Sequence, residues 1–132
     1  MKFASTRLIA ADIKAMVGFY ELVTGQPAEW LAPVFAEIVT SGARLAIGSD
    51  VTVALFKEGS AEAGANRSAI IEFMVDDVDA EHDRLKDKVD VVHEPKLMPW
   101  GNRSMQLRDP EGSLVALFMP FTNDAKARFE PR

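Results

Sequence analysis

Two charged side chains hold matching places in the two halves of this sequence. Arg7 lies five residues before Asp12, and Glu72 lies five residues before Asp77. Each sits in a stretch that reads as a strand, and each stretch ends on an aspartate suited to cap a helix. Strand alternation puts Arg7 on the sheet face that carries Ser5, and Glu72 on the face that carries Ile70. A charge on such a face is costly unless paired or solvated. The chemistry on offer is recognition. Arg7 suits an anionic or carbonyl group and Glu72 a cation, or the two form an ion pair with each other. Trp100, just before Gly101, offers a flat ring that either stacks on a ligand or anchors its loop. Arg103 and Gln106 fall on opposite faces of one strand, so one of them faces a ligand, and a bulge would exchange them. Arg7, Glu72, Trp100 and Arg103 form the candidate ligand-binding set.

Several chemistries are absent from the residue inventory. There is no cysteine, which removes disulfides, thiol catalysis and thiolate metal sites. The two histidines lie on separate elements, which is no metal site. His82 belongs to an apolar helix stripe and reads as a packing residue. His93 precedes Pro95 in an irregular stretch and reads as exposed. With 15 basic and 20 acidic residues the net charge is −5, the wrong sign for a phosphate-backbone binder. The start of the chain turns polar at once and no long apolar run follows, so neither a signal peptide nor a membrane span is expected, and the expected compartment is the cytoplasm.

The positioning elements follow from periodicity. Residues 3–11 read as a strand. Asp12 caps a helix whose Ile13, Met16, Val17 and Tyr20 share one face, and Gly25 with Pro27 stops it. Strands are expected over 34–40, 44–47 and 51–56. Residues 58–67 are small and polar, a linker. The pattern then restarts. Residues 68–76 read as a strand and Asp77 as a cap. Val78, His82, Leu85 and Val89 form a helix stripe. After Pro95 come strands over 103–108 and 113–119, separated by the turn Asp109-Pro110-Glu111-Gly112. Asp12 matches Asp77, and 51–56 matches 113–118. The expectation is an α+β fold of two βαβββ modules, 1–57 and 68–120. They are expected to build one curved mixed sheet with a concave cavity and the helices outside, followed by a tail over 121–132 that is loose or lies over a neighbouring subunit.

These residues resemble a known family. Gly18-Phe19-Tyr20-Glu21, Phe73-Met74-Val75-Asp76-Asp77-Val78-Asp79, and Pro99-Trp100-Gly101-Asn102-Arg103-Ser104 running into Arg108-Asp109-Pro110-Glu111-Gly112 are similar to the glyoxalase / bleomycin-resistance / extradiol-dioxygenase superfamily, the vicinal-oxygen-chelate fold. The resemblance implies paired modules, usually a homodimer, and a ligand cavity in the concave sheet. In its enzymes it implies one divalent metal acting as a Lewis acid, held by His, Gln or Glu on the first and last strands of the modules. The positions that the resemblance assigns to those ligands are Ser5, Ile70 and Ala116 here, with Ala54 as the first-half counterpart of Ala116. None is a competent donor. The expected function is therefore binding of a small aromatic or cationic molecule without a catalytic metal or other cofactor, as in the drug-sequestering bleomycin-resistance proteins. An alternative is an enzyme of the same superfamily. It would be metal-free, with Glu72 as base and Arg7 as electrostatic stabiliser, or metal-dependent through unidentified ligands. A third reading has Ile70, Met74, Leu114 and Phe118 filling the cavity.

Overall fold

The computed structural model describes residues 1–131, in two compact units. The first comprises Met1–Asn66 and the short turn Pro110–Gly112. Strands β1 (Ser5–Ala10), β2 (Glu29–Ala32), β3 (Phe35–Val39) and β4 (Arg44–Ser49) form one mixed sheet in the order β1-β4-β3-β2. β1 runs parallel to β4, and the other pairs are antiparallel. Helix α1 (Ile13–Thr24) starts where Asp12 accepts the amide of Ala15 at 3.1 Å and stops at Gly25, which takes the left-handed φ of 68°. Its Met16, Val17, Tyr20 and Val23 are buried together with Leu8, Ala10, Ala36, Ile38, Leu45 and Ile47 from the strands. The Glu111 carboxylate reaches this unit and accepts from the amides of Ala11 and Asp12 at 3.0 and 3.2 Å.

One expected strand is not a strand. Residues Asp50–Leu55 form a 3₁₀ helix. β4 is already paired on both sides, by β1 and β3, and leaves no edge for Val51, Thr52 and Val53 to join. Ser49 instead caps the turn: its Oγ accepts from the Val51 amide at 3.4 Å, and Thr52 Oγ1 donates to the Ser49 carbonyl at 2.6 Å. The last strand of the first module is therefore β4, and the repeat equivalence moves with it. The counterpart of Ala116 is Ala46 rather than Ala54.

The second unit comprises Arg67–Asp109 and Ser113–Arg132, described to residue 131. Strands β5 (Ile70–Met74), β6 (Asp90–Leu97), β7 (Asn102–Arg108) and β8 (Leu114–Pro120) repeat the first topology in the order β5-β8-β7-β6, with β5 parallel to β8. Helix α2 (Val78–Leu85) begins at Asp77, which accepts from the Ala80 amide at 3.1 Å. Val78 and Leu85 of α2 are fully buried, as are Met105, Leu107, Val115 and Leu117 on the strands. Two βαβββ modules in an α+β fold are thus present. β6 had no counterpart in the sequence reading. It is an edge strand, which is where a strand tolerates Pro95.

The tail is held within this unit over its residues 122–129. Helix α3 (Asn123–Arg128) is capped by Thr122, Ala125 is buried, and the Phe129 ring lies 5.3 Å from that of Phe118. Among the described residues no helix is long and apolar enough to cross a membrane.

Candidate functional site

The face of the second sheet turned away from Met105 and Leu107 carries a cavity of about 360 Å³. The strand register explains what lines it. Glu72 on β5 is opposite Ala116 on β8, and Ala116 is opposite Gln106 on β7. Ser104 is likewise opposite Phe118. All five border the cavity, together with Ile70, His93, Lys96, Met98, Trp100 and Asn102.

β6 reaches this face through two irregularities. Its pairing with β7 shifts between Val91 and His93, and again between His93 and Lys96. Each shift places an extra residue on β6, which re-aims the side chains that follow. As a result His93 stands opposite Gln106 and Lys96 opposite Ser104, both on the cavity side. His93 is thus a strand residue bordering the cavity, not a residue of an exposed irregular stretch. Its Nδ1 lies 2.8 Å from the Glu94 carbonyl. A carbonyl only accepts, so Nδ1 is the donor in this contact, and Nε2 is left for another partner.

Glu72 is exposed, and among the described residues its carboxylate has no hydrogen-bond or ion-pair partner. Trp100 is 59% exposed at the cavity edge. The turn that presents it is fixed on both sides: the Gly101 amide donates to the Met98 carbonyl at 2.9 Å, and the amides of Phe121 and Thr122 both donate to the Gly101 carbonyl, at 3.0 and 3.1 Å.

Arg103, expected beside a ligand, does not border the cavity. It faces α2, where its Nε and Nη2 donate to the two carboxylate oxygens of Asp79 at 2.9 and 2.7 Å. This fork geometry holds the Asp79 carboxyl below its ordinary pKa, through the hydrogen bond first, and raises that of Arg103. The choice that spacing left open between Arg103 and Gln106 falls to Gln106, and no bulge on β7 exchanges them. The cavity is not filled by its own walls: Phe118 is buried, but Ile70 and Met74 are 43% and 56% exposed.

Arg7 belongs to the first unit. Its guanidinium carbon lies 4.8 Å from the Phe35 ring centre and 5.6 Å from that of Phe56. Both distances suit cation–π attraction, which satisfies the planar face and leaves the N–H edge for other partners.

The positions assigned to a metal do not fit one. Ser5 offers a neutral hydroxyl, and Ile70 and Ala116 offer no donor. Ala46, which register places opposite Arg7 as Ala116 is opposite Glu72, offers none either. Among the described residues no three His, Asp or Glu side chains gather as a metal centre would require.

Comparison with known proteins agrees with this architecture. The model of the Glyoxalase/Bleomycin resistance protein/Dioxygenase superfamily matches residues 2–117. The uncharacterized protein YraH of Bacillus subtilis (strain 168) is 29% identical over 125 residues, 89% of this chain and 98% of its own length. A glyoxalase/bleomycin resistance protein/dioxygenase family enzyme from Burkholderia phytofirmans PsJN has a TM-score of 0.77 at 18% identity, covering 89% of this chain and 98% of that one. A glyoxalase/bleomycin resistance protein/dioxygenase from Nocardioides has a TM-score of 0.76 at 20% identity, covering 93% and 85%. At these identities the two structures speak for the fold alone.

Proposed function

The chain belongs to the glyoxalase/bleomycin resistance protein/dioxygenase superfamily, and we propose that it binds a small, flat, cationic molecule without a catalytic metal. The observation that carries this reading is the open cavity of the second unit, with the unpartnered carboxylate of Glu72 and the exposed ring of Trp100 on one lining. A cation–π contact with tryptophan is worth about 0.5–2 kcal/mol. The exposed carboxylate adds a modest attraction. Met98 and Phe118 supply apolar contact, and Met adapts to ligands of varied shape. Catalysis by Glu72 as a base has less support, because the residue is exposed rather than desolvated. Pairing into a homodimer is part of the proposal. Phe3, Leu31, Leu55 and Phe56 of the first unit are exposed apolar side chains that a second copy would cover. A monomer mass in light scattering would remove that part.

N-methylisoquinolinium, a flat aromatic cation, is the probe. Calorimetric titration should give a Kd between tens of micromolar and about 1 mM, as the size of the probe allows. Trp100→Ala should weaken it about fivefold, roughly 1 kcal/mol, and Glu72→Gln about two- to threefold, roughly 0.5 kcal/mol, with the melting temperature retained. No binding by the wild type, or equal binding by all three proteins, would overturn the reading.

A further inference from the structure

Asn102 carries the one buried side-chain polar atom among the described residues that the fold leaves without a hydrogen-bond partner. The residue is 5% exposed, and its Oδ1 is closed to solvent and has no hydrogen-bond partner among the described residues. Its backbone is well used, since its carbonyl accepts the Met98 amide at 2.7 Å. Buried side-chain polar atoms are nearly always paired, and a lone one needs an explanation. Nothing in local structure requires an amide there. Asn102 opens β7 opposite Pro120 and caps no helix. A leucine has the same branched shape, at a somewhat larger volume, and carries no acceptor to leave unmet.

The residue lines the same cavity as Trp100, Ser104 and Lys96. Trp100 offers a stacking ring two residues away. A carboxamide presents an acceptor and a donor side by side, and its terminal torsion is soft, so the Oδ1 can turn toward the cavity when something there offers a hydrogen. Asparagine reads adjacent donor and acceptor groups on flat rings in this bidentate way.

We propose that Asn102 determines the cavity's specificity: its carboxamide pairs with a neighbouring N–H and C=O on a planar ring stacked against Trp100, as a lactam or cyclic imide presents them. This deepens the proposed small-molecule function and rests on it. The ligand class becomes a flat heterocycle that carries a cyclic amide edge besides any positive charge.

The test compares two rings of nearly equal size, isoquinolin-1(2H)-one, which carries the N–H/C=O edge, and isoquinoline, which does not. Wild-type protein should bind the lactam about tenfold more tightly, within what a good bidentate pair gives. Asn102→Ala should bring the two to equal affinity. Asn102→Leu should also lose the preference and should melt about 4 °C higher, because an unmet buried acceptor is gone. Should the alanine variant not fold, the leucine variant and the wild-type preference decide. Equal binding of the two rings by wild type, or a preference that survives either substitution, would overturn this proposal while N-methylisoquinolinium binding leaves the broader function standing. Failure of all three probes would instead overturn the function itself.

Discussion

Substituting Gly101 with alanine tests how the Trp100 turn is held. Gly101 has φ +94°, a conformation in which a side chain costs about 1–3 kcal/mol. A Cβ there would lie 2.1 Å from Thr122 Oγ1, 3.2 Å from Thr122 Cβ and 3.0 Å from Ala125 Cβ. The first contact is far inside van der Waals range, so the start of α3 must move. Moving it loses the Thr122 cap, whose Oγ1 accepts the Ala125 amide at 3.2 Å, worth about 1 kcal/mol. The two amide bonds to the Gly101 carbonyl are strained as well. The expected total is about 3–4 kcal/mol, a large share of the 5–15 kcal/mol available to an ordinary domain. Urea unfolding followed by tryptophan fluorescence measures it. Thr122→Ala alone should cost about 1 kcal/mol. In the double variant the worst clash is gone, so the two costs should fall short of adding by at least about 1 kcal/mol. A cost below about 1 kcal/mol for Gly101→Ala, or strict additivity, would refute the packing of α3 on this turn as the reason for glycine.

Three further outcomes are expected. The Asp79 carboxyl should titrate below its ordinary range by NMR and return to that range in Arg103→Gln. Since a depressed folded pKa stabilises above the unfolded value and loses this as pH falls through the folded one, the two proteins' stabilities should converge in acid; convergence at neutral pH instead would refute it. Glu111→Ala should lower stability by about 1 kcal/mol, because two backbone amides lose a charged acceptor, and Glu111→Gln should recover little of it, because one amide then faces an NH2 instead of an oxygen; no loss for Glu111→Ala in urea unfolding would show that these hydrogen bonds carry nothing. Stripped protein titrated with Zn²⁺, Mn²⁺, Ni²⁺ or Fe²⁺ should show no stabilisation by thermal melting, whereas a real site at a hundred times its Kd would add about 2.7 kcal/mol.

Local signals in the sequence were enough for the helices but not for every strand. Asp12, Gly25 and Asp77 cap and stop helices by chemistry contained within a few residues, so spacing places α1 and the start of α2, although α2 ends at Leu85 and Val89 lies beyond it. Residues 51–56 have strong strand character, yet a strand needs a partner, and the pairing of β4 by both β1 and β3 is a long-range fact. β6 fails in the other direction. Its alternation is broken by Pro95 and two shifts of register, and those same shifts bring His93 and Lys96 to the cavity. Glu72 and Trp100 were legible because regular alternation and an exposed turn place them. Asn102 was not, since burial of its side chain is a matter of tertiary packing, which no short-range pattern encodes.

Ala116 links an expected metal-ligand position to the cavity. It occupies the β8 position where the resemblance puts a metal-binding carboxylate, and it stands between Glu72 and Gln106 in register. An alanine there leaves no donor, and its short side chain also leaves the space between two polar neighbours open. A glutamate would set a second carboxylate directly across from Glu72, where like charges repel. On this reasoning, the change that removes a ligand position also makes room for a molecule. Ala116→Leu separates the two effects, since it adds no donor and fills space. The residue is 4% exposed with its Cβ on the cavity side, so the added carbons enter the void rather than the packed core, and the melting temperature should hold within about 4 °C. N-methylisoquinolinium binding should fall at least about tenfold. Unchanged binding with unchanged stability would mean that the molecule sits elsewhere and that the cavity over β8 is not the site.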